Sequence, residues 1–259
     1  MTSLSAITET LRAAAFAAGE IAMRHFRPGG QTSARIEYKQ GGSPVTEADI
    51  AVNASLQAAL AAAYPDIGWF SEESAQSPER TGMRRLFIVD PIDGTRAFIE
   101  GNPNWVMSLA LVEDGVPVAA VLHGPAIGLT LTATRGIGSM ANGEKISQRM
   151  LVNDPPVAAG PKPMLDSFEA RGLALTRHPK IPSLALRLAL VATGALDLAV
   201  ASKNSHDWDI AAADLILAEA GIGLTDFSGR RPVYNRADPV HPPLVAGLDS
   251  LRARLLALG

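Results

Sequence analysis

Apolar residues recur along this chain at two different periods, and the switches between them mark out its elements. From Leu4 to Phe26 the apolar positions of an alanine-rich stretch fall three and four residues apart. That spacing predicts a long amphipathic helix, stopped by Pro28-Gly29-Gly30. Gly41-Gly42-Ser43-Pro44 predicts a loop, and a second helix is expected from Thr46 to near Ala63, before Tyr64-Pro65-Asp66. Leu86-Phe87-Ile88-Val89 is a continuous apolar run, which reads as a buried strand. Trp105 to Val112 and Val116 to Leu122 predict two strands joined as a hairpin at Glu113-Asp114-Gly115. Leu129 to Ala133 extends that pattern, and Gly136 to Gly143 turns. This half is expected to place two helices against a mainly antiparallel sheet.

Ser147 to Pro163 is rich in proline and small residues, so a subdomain boundary is expected there, dividing the chain into 1–147 and 148–259. Beyond it the pattern reads βαβα. A helix is expected over Leu184–Thr193, a short strand over Leu196–Val200, a helix over Asp207–Glu219 and a closing hairpin over Gly223–Tyr234. There is no internal repeat, low-complexity tract or heptad pattern. The expected class is α/β.

At 259 residues the chain is long enough to bury a large core. Its 47% hydrophobic and 19% charged residues are ordinary for a globular enzyme. A net charge of −3 gives no electrostatic reason to bind a nucleic acid polymer. Cysteine is absent, which excludes disulfides, a thiol nucleophile and a cysteine-based zinc site, and is compatible with a cytoplasmic location. The N-terminus lacks the basic segment of a signal peptide, and Glu9, Arg12 and Glu20 interrupt its apolar positions. The apolar run Leu188–Ala201 contains Asp197 and is too short to span a bilayer, so no membrane partner is expected.

The densest chemistry lies in Asp90-Pro91-Ile92-Asp93-Gly94-Thr95. Two carboxylates follow a buried strand, and Pro91 and Gly94 force a turn. Open α/β sheets bind ligands at such strand ends. Oxygen ligands on a rigid turn suit a hard cation such as Mg²⁺. Gly94 and Thr95 lead into a helical turn at Arg96-Ala97-Phe98-Ile99, whose free backbone N–H groups could hold a phosphate. An ordinary Pro/Asp/Gly turn is the plain alternative. A haloacid-dehalogenase phosphatase also carries an Asp-Gly-Thr element, but it needs its aspartates two residues apart, and Pro91 stands two before Asp93.

Two further clusters give that element company: Trp69-Phe70-Ser71-Glu72-Glu73-Ser74 upstream and Trp208-Asp209-Ile210-Ala211-Ala212 downstream, the latter preceded by Val191-Ala192-Thr193-Gly194. In order and spacing, over nearly the whole chain, these resemble the inositol monophosphatase family of Mg²⁺-dependent, lithium-sensitive phosphatases. The resemblance implies a five-layer αβαβα sandwich of two subdomains with the active site between them, and a homodimer is expected. It also implies two or three Mg²⁺ ions held by Glu72, Asp90, Asp93, Asp209 and the backbone carbonyl of Ile92. Four carboxylates in one cleft would raise one another's pKa values unless cations neutralised them. Singly, each has a plainer explanation. Glu72 beside Glu73 is a solvated acidic patch, and Asp209 is a helix N-terminal residue favoured by the dipole.

Asp49 and Thr95 are the catalytic candidates implied by the resemblance, orienting and deprotonating a metal-bound water that attacks phosphorus in line. Thr46 and Asp49 also form a capping-box pair, and a cap can itself fix a catalytic carboxylate. Gly94, Thr95, Asp209 and Ser202 are the substrate-binding candidates. The five histidines lack metal-ligand spacing; His206, three before Asp209, is a pocket or surface residue.

The resemblance leaves the phosphate ester open among inositol monophosphates, 3′-phosphoadenosine 5′-phosphate, histidinol phosphate and fructose 1,6-bisphosphate. Inositol-specific members carry a glutamate seven residues before the Trp-Asp aspartate, and here Ser202 stands there. Lys162 and Lys203 are candidates to meet a second phosphate. The pattern Lys203-Asn204-Ser205-His206-Asp207-Trp208 is similar to bacterial 3′(2′),5′-bisphosphate nucleotidases, which places that substrate first, then inositol 1-phosphate, then histidinol phosphate. A regulatory binding protein on the same fold is the non-enzymatic alternative, and it would be marked by a missing carboxylate.

Overall fold

The computed structural model describes residues 2–74, 77–147 and 153–257. The first helix, α1 (Leu4–His25), starts where the Ser3 hydroxyl accepts from the Ala6 amide and ends before Pro28. The second, α2 (Glu47–Ala63), is opened by the expected capping box of Thr46 and Asp49. Both lie on one face of a seven-stranded sheet whose spatial order runs Gly68–Ser71, Arg85–Asp93, Val106–Glu113, Val116–Gly124, Leu129–Thr134, Gly138–Ala141 and Glu144–Lys145. The first pair is parallel and every other pair antiparallel.

Side-chain alternation decides which layer each strand residue joins. Phe87 and Val89 pack with α1 and α2, whereas Leu86 and Ile88 face the opposite way. That opposite face meets α5 (Leu184–Thr193) and α6 (Asp207–Glu219). A five-stranded sheet covers those two helices in turn. Its order is Thr176–Arg177, Val157–Ala159, Leu198–Ala201, Leu244–Gly247 and Gly223–Asp226. In its central strand Ala199 and Ala201 join the shared core with α5 and α6, while Leu198 and Val200 face α4 (Lys162–Ala170) and α7 (Asp249–Ala257). The result is the expected αβαβα sandwich. The boundary expected at 147/148 runs into residues 148–152, outside the described residues.

The closing hairpin over Gly223–Tyr234 is not formed. The strand Gly223–Asp226 is there, but it pairs with Leu244–Gly247. The chain leaves the sheet because Asp226 closes a turn on Ser228, Gly229 and Arg230, and Pro232 has no amide to donate. Tyr234 then gives its amide to the Gly115 carbonyl of the other sheet's hairpin. No described helix is long and apolar enough to cross a membrane.

Candidate active site

The strand that carries Asp90 does not stop at Val89. It runs on through Asp93, and its pairing with Val106–Glu113 shifts register between Asp90 and Asp93. Pro91, which has no N–H for a ladder, sits inside that irregularity. Asp90 Oδ1 accepts from the Ile92 amide at 3.0 Å, so the carboxylate itself closes the distortion. Gly94 follows at φ +101° and lets the backbone turn into α3 (Thr95–Ile99).

Asp209 arrives from the other half of the chain. It is the third residue of α6, and its Oδ2 accepts from the His206 amide at 2.6 Å. Two contacts tie that helix end to the first sheet. Ser108 Oγ donates to the Trp208 carbonyl at 3.0 Å, and the Trp208 ring meets Phe70 edge-on at 5.1 Å. Carboxylate oxygens of Asp90, Asp93 and Asp209 thereby lie within 4.8 Å of one another. They line a cavity of about 280 Å³ with Glu72, Ile92, Gly94 and Thr95.

Three carboxylates this close, Asp90 and Asp93 buried and Asp209 half-buried, form a site short of positive charge. Burial and then the neighbouring acids push Asp90 and Asp209 well above the usual carboxylate range. Burial pushes Asp93 up to about 6, against the pull of hydrogen bonds from Ser183 and from the Ala185 and Leu184 amides. Ser183 Oγ and the Ala185 amide reach Asp93 Oδ2 at 2.5 and 2.6 Å. An all-oxygen donor set with excess negative charge fits a hard divalent cation.

Glu72 faces the same cavity but is not a solvated patch. Lys39 Nζ bridges it at 2.9 Å to Glu73 at 2.6 Å. Burial raises Asp49, offset in part by hydrogen bonds from Thr46 and Thr95. Its Oδ2 is held by the Thr46 amide and hydroxyl at 2.8 and 2.6 Å. Its Oδ1 lies 3.2 Å from Thr95 Oγ1, which is also 3.1 Å from the Ile92 carbonyl.

Ser202 and Lys203 are exposed and do not line this cavity, and Lys162 is exposed and paired with Asp166 at 2.8 Å. His206 is half-buried, stacks on Trp208 at 4.6 Å between ring centres, and holds Nδ1 3.9 Å from Asp209. The cavity wall instead carries two cations the sequence did not single out, Arg96 and Lys180. Both are exposed, and neither has a hydrogen-bond or ion-pair partner among the described residues. Ser183 was missed: its place just before the apolar run of α5 is the local signal of an N-cap, but nothing in the sequence ties it to Asp93. Arg187, half-buried on α5, donates to the Ile181 carbonyl at 3.0 Å and draws Asp93 down electrostatically; its Nε has no partner among the described residues.

Comparison with known proteins places residues 3–256 under the model described as the inositol monophosphatase family. A 3′(2′),5′-bisphosphate nucleotidase CysQ of Aggregatibacter actinomycetemcomitans is 30% identical over 86% of this chain and 87% of its own. A histidinol-phosphatase of Mycobacterium tuberculosis is 35% identical over 77% of this chain and 80% of its own. Among solved structures, the extragenic suppressor protein suhB of Bartonella henselae superposes with a TM-score of 0.83 at 29% identity, covering 98% of both chains.

Proposed function

This chain belongs to the inositol monophosphatase family, whose members are metal-dependent phosphatases acting on small phosphate esters, and on that premise we propose that its substrate is a nucleotide bisphosphate, 3′-phosphoadenosine 5′-phosphate in first place. One observation carries the choice: the cavity lined by an acidic cluster fit for a metal also has two unpartnered cations, Arg96 and Lys180, in its wall. The cluster suits the phosphate that is cleaved, and the two cations suit a second anion. Inositol 1-phosphate and histidinol phosphate have no second phosphate to offer that wall. CysQ relatives carry 3′(2′),5′-bisphosphate nucleotidase as their names. The second-phosphate role first read for Lys162 and Lys203 passes to Arg96 and Lys180, because only the latter pair lines the cavity.

Asp90, Asp93 and Asp209, with Glu72 and the Ile92 carbonyl, are the groups that would hold Mg²⁺, two or three ions in all. Bound there, Mg²⁺ would supply Lewis acidity to a water and charge neutralisation at the phosphoryl oxygens. The chain's own residues do the rest. Asp49 and Thr95 orient the attacking water, and Asp49 takes its proton, a task favoured by the carboxylate's raised proton affinity. The Gly94 and Thr95 amides donate to the phosphoryl oxygens. Ser183 and the Ala185 amide hold Asp93 in place through Oδ2 at the cavity it lines.

The test is kcat/KM across 3′-phosphoadenosine 5′-phosphate, inositol 1-phosphate, histidinol phosphate and fructose 1,6-bisphosphate, in wild type and Lys180→Ala. A charge-assisted contact to a second phosphate is worth about 1.5–3 kcal/mol, so wild type should favour the nucleotide over inositol 1-phosphate by roughly tenfold to a hundredfold, and Lys180→Ala should narrow that gap. A wild type that prefers inositol 1-phosphate refutes the ranking. Preference for fructose 1,6-bisphosphate would keep the second-anion argument and reject the nucleotide.

A further inference from the structure

A second cavity, of about 350 Å³, shares no lining residue with the acidic cleft. Its wall carries three arginines, Arg230, Arg231 and Arg236, beside apolar Pro232, Val233 and Leu244. Among the described residues Asp226 is the sole acid in that lining, and it is already committed. Burial works to raise it, but hydrogen bonds from Ser228 and Arg230 hold it down at about 2, so it is ionised and neutralises Arg230 at 3.0 Å. The His241 ring is also taken, its Nε2 lying 2.7 Å from Asp207.

Arg231 and Arg236 are left. Both are exposed, and neither has a hydrogen-bond or salt-bridge partner among the described residues. Arg231 has only the longer-range attraction of Asp214, which accepts from the Tyr234 hydroxyl at 2.9 Å. The loop between them does not depend on a ligand for its shape. The Asn235 amide donates to Asp207 at 2.8 Å, and the Asn235 side chain pairs with Arg80 through Nδ2 to the carbonyl at 2.9 Å and Oδ1 from Nη1 at 3.0 Å. Two guanidinium groups without a hydrogen-bond or salt-bridge partner among the described residues therefore line the same cavity as Pro232, Val233 and Leu244, on a loop pinned at Asn235.

We propose that this cavity is a second anion site, separate from the metal cleft, that binds a small organic phosphate dianion with its headgroup between Arg231 and Arg236 and its apolar body against Pro232, Val233 and Leu244. Guanidinium groups match phosphate oxygens in charge and in fork geometry. The apolar wall adds burial that free inorganic phosphate cannot use.

Calorimetric titration of the metal-stripped full chain with phenylphosphonate tests this. The probe is an aromatic dianion whose P–C bond a phosphomonoesterase does not cleave; stripping the metal removes the cation that would draw it to the carboxylates, and Lys180→Ala reports any binding at the cations of that cleft. Wild type should bind at one site, and more tightly than it binds inorganic phosphate. Arg231→Ala/Arg236→Ala should weaken binding by at least about tenfold, the size of one lost charge-assisted contact. Arg236→Glu alone should abolish it, and Lys180→Ala should leave it unchanged. Melting curves matching wild type confirm that the variants are folded. Absence of binding, binding indifferent to the arginine variants, or binding lost in Lys180→Ala would overturn the proposal, and none of these results bears on turnover in the metal cleft.

Discussion

Asp93 is held by Ser183 and the Ala185 amide on Oδ2 and also lines the acidic cavity, so a structural role and the proposed metal-holding role can be tested separately. Asp93→Asn keeps an acceptor for the Ala185 amide but loses a ligand charge, so turnover should vanish while the melting temperature stays near wild type. Ser183→Ala removes both the contact to Asp93 and the N-cap of α5, where Ser183 accepts from the Leu186 amide at 3.0 Å. It should cost about 1 kcal/mol of stability and raise the Mg²⁺ concentration needed for half-maximal rate. Thr95→Ala and Asp49→Asn should each lower kcat with little change in KM, and their losses should not add, because the two side chains act as one unit. Additive losses would leave Asp49 as a helix cap and nothing more. The carboxylates were legible because short contiguous motifs carry them. Ser183, Lys180, Arg96 and Lys39 were not, because their positions depend on segments tens of residues apart meeting in space.

At the scale of elements, the local devices were easier to read than their partners. The α2 capping box and the Glu113-Asp114-Gly115 hairpin follow from residues a few positions apart, and both are present. The strand Gly223–Asp226 was also visible, but its partner across the sheet depends on where Pro232 and Tyr234 lead the chain, which no local pattern states. The helix α4 was not among the expected elements: the proline-rich stretch Ser147–Pro163 overlaps only its start, and Pro163 lies in its first turn, the one helical place where proline is tolerated. The turn at Gly94 supplies the prediction at this scale. A Cβ there would lie 3.3 Å from the Asn104 carbonyl and 3.4 Å from Ser183 Cβ, on a backbone at φ +101°. Gly94→Ala should cost about 1–3 kcal/mol. It should lower activity further than that loss of folded protein explains, since the strain falls between Asp93 and Thr95. An unchanged melting temperature would show that the turn is less constrained than its geometry implies.

For the whole molecule, the metal cleft lies where α6 returns from the second half of the chain to the strand end of the first sheet, so folding itself assembles the acidic cluster. The cluster then opposes folding whenever it is ionised without a cation. The folded-state proton affinity of Asp93 lies near pH 6, above the ordinary carboxylate value near 4. Its stabilising contribution is therefore present below about pH 4 and is lost as pH rises through about 6. Mg²⁺ should remove this penalty by binding the ionised form. The rise in melting temperature on adding Mg²⁺ should thus grow between pH 5 and pH 7. Taking the difference with and without Mg²⁺ cancels groups outside the cleft. His123 is one, since burial pushes it down to about 4 and it carries the opposite sign, losing stability as pH falls from about 6.5. A metal-induced shift independent of pH would place the cation elsewhere. Family membership adds that millimolar Li⁺ should inhibit turnover across a Mg²⁺ titration.

The central claim is that Asp90, Asp93 and Asp209 hold the cation that hydrolysis requires. Phosphate release from 3′-phosphoadenosine 5′-phosphate, followed as Mg²⁺ is titrated into metal-stripped protein, tests it most directly. The predicted result is no release without metal, full recovery on adding Mg²⁺, and none at any Mg²⁺ concentration in folded Asp93→Asn. Release that persists in excess chelator, or an Asp93→Asn variant that Mg²⁺ restores to wild-type rate, would contradict it.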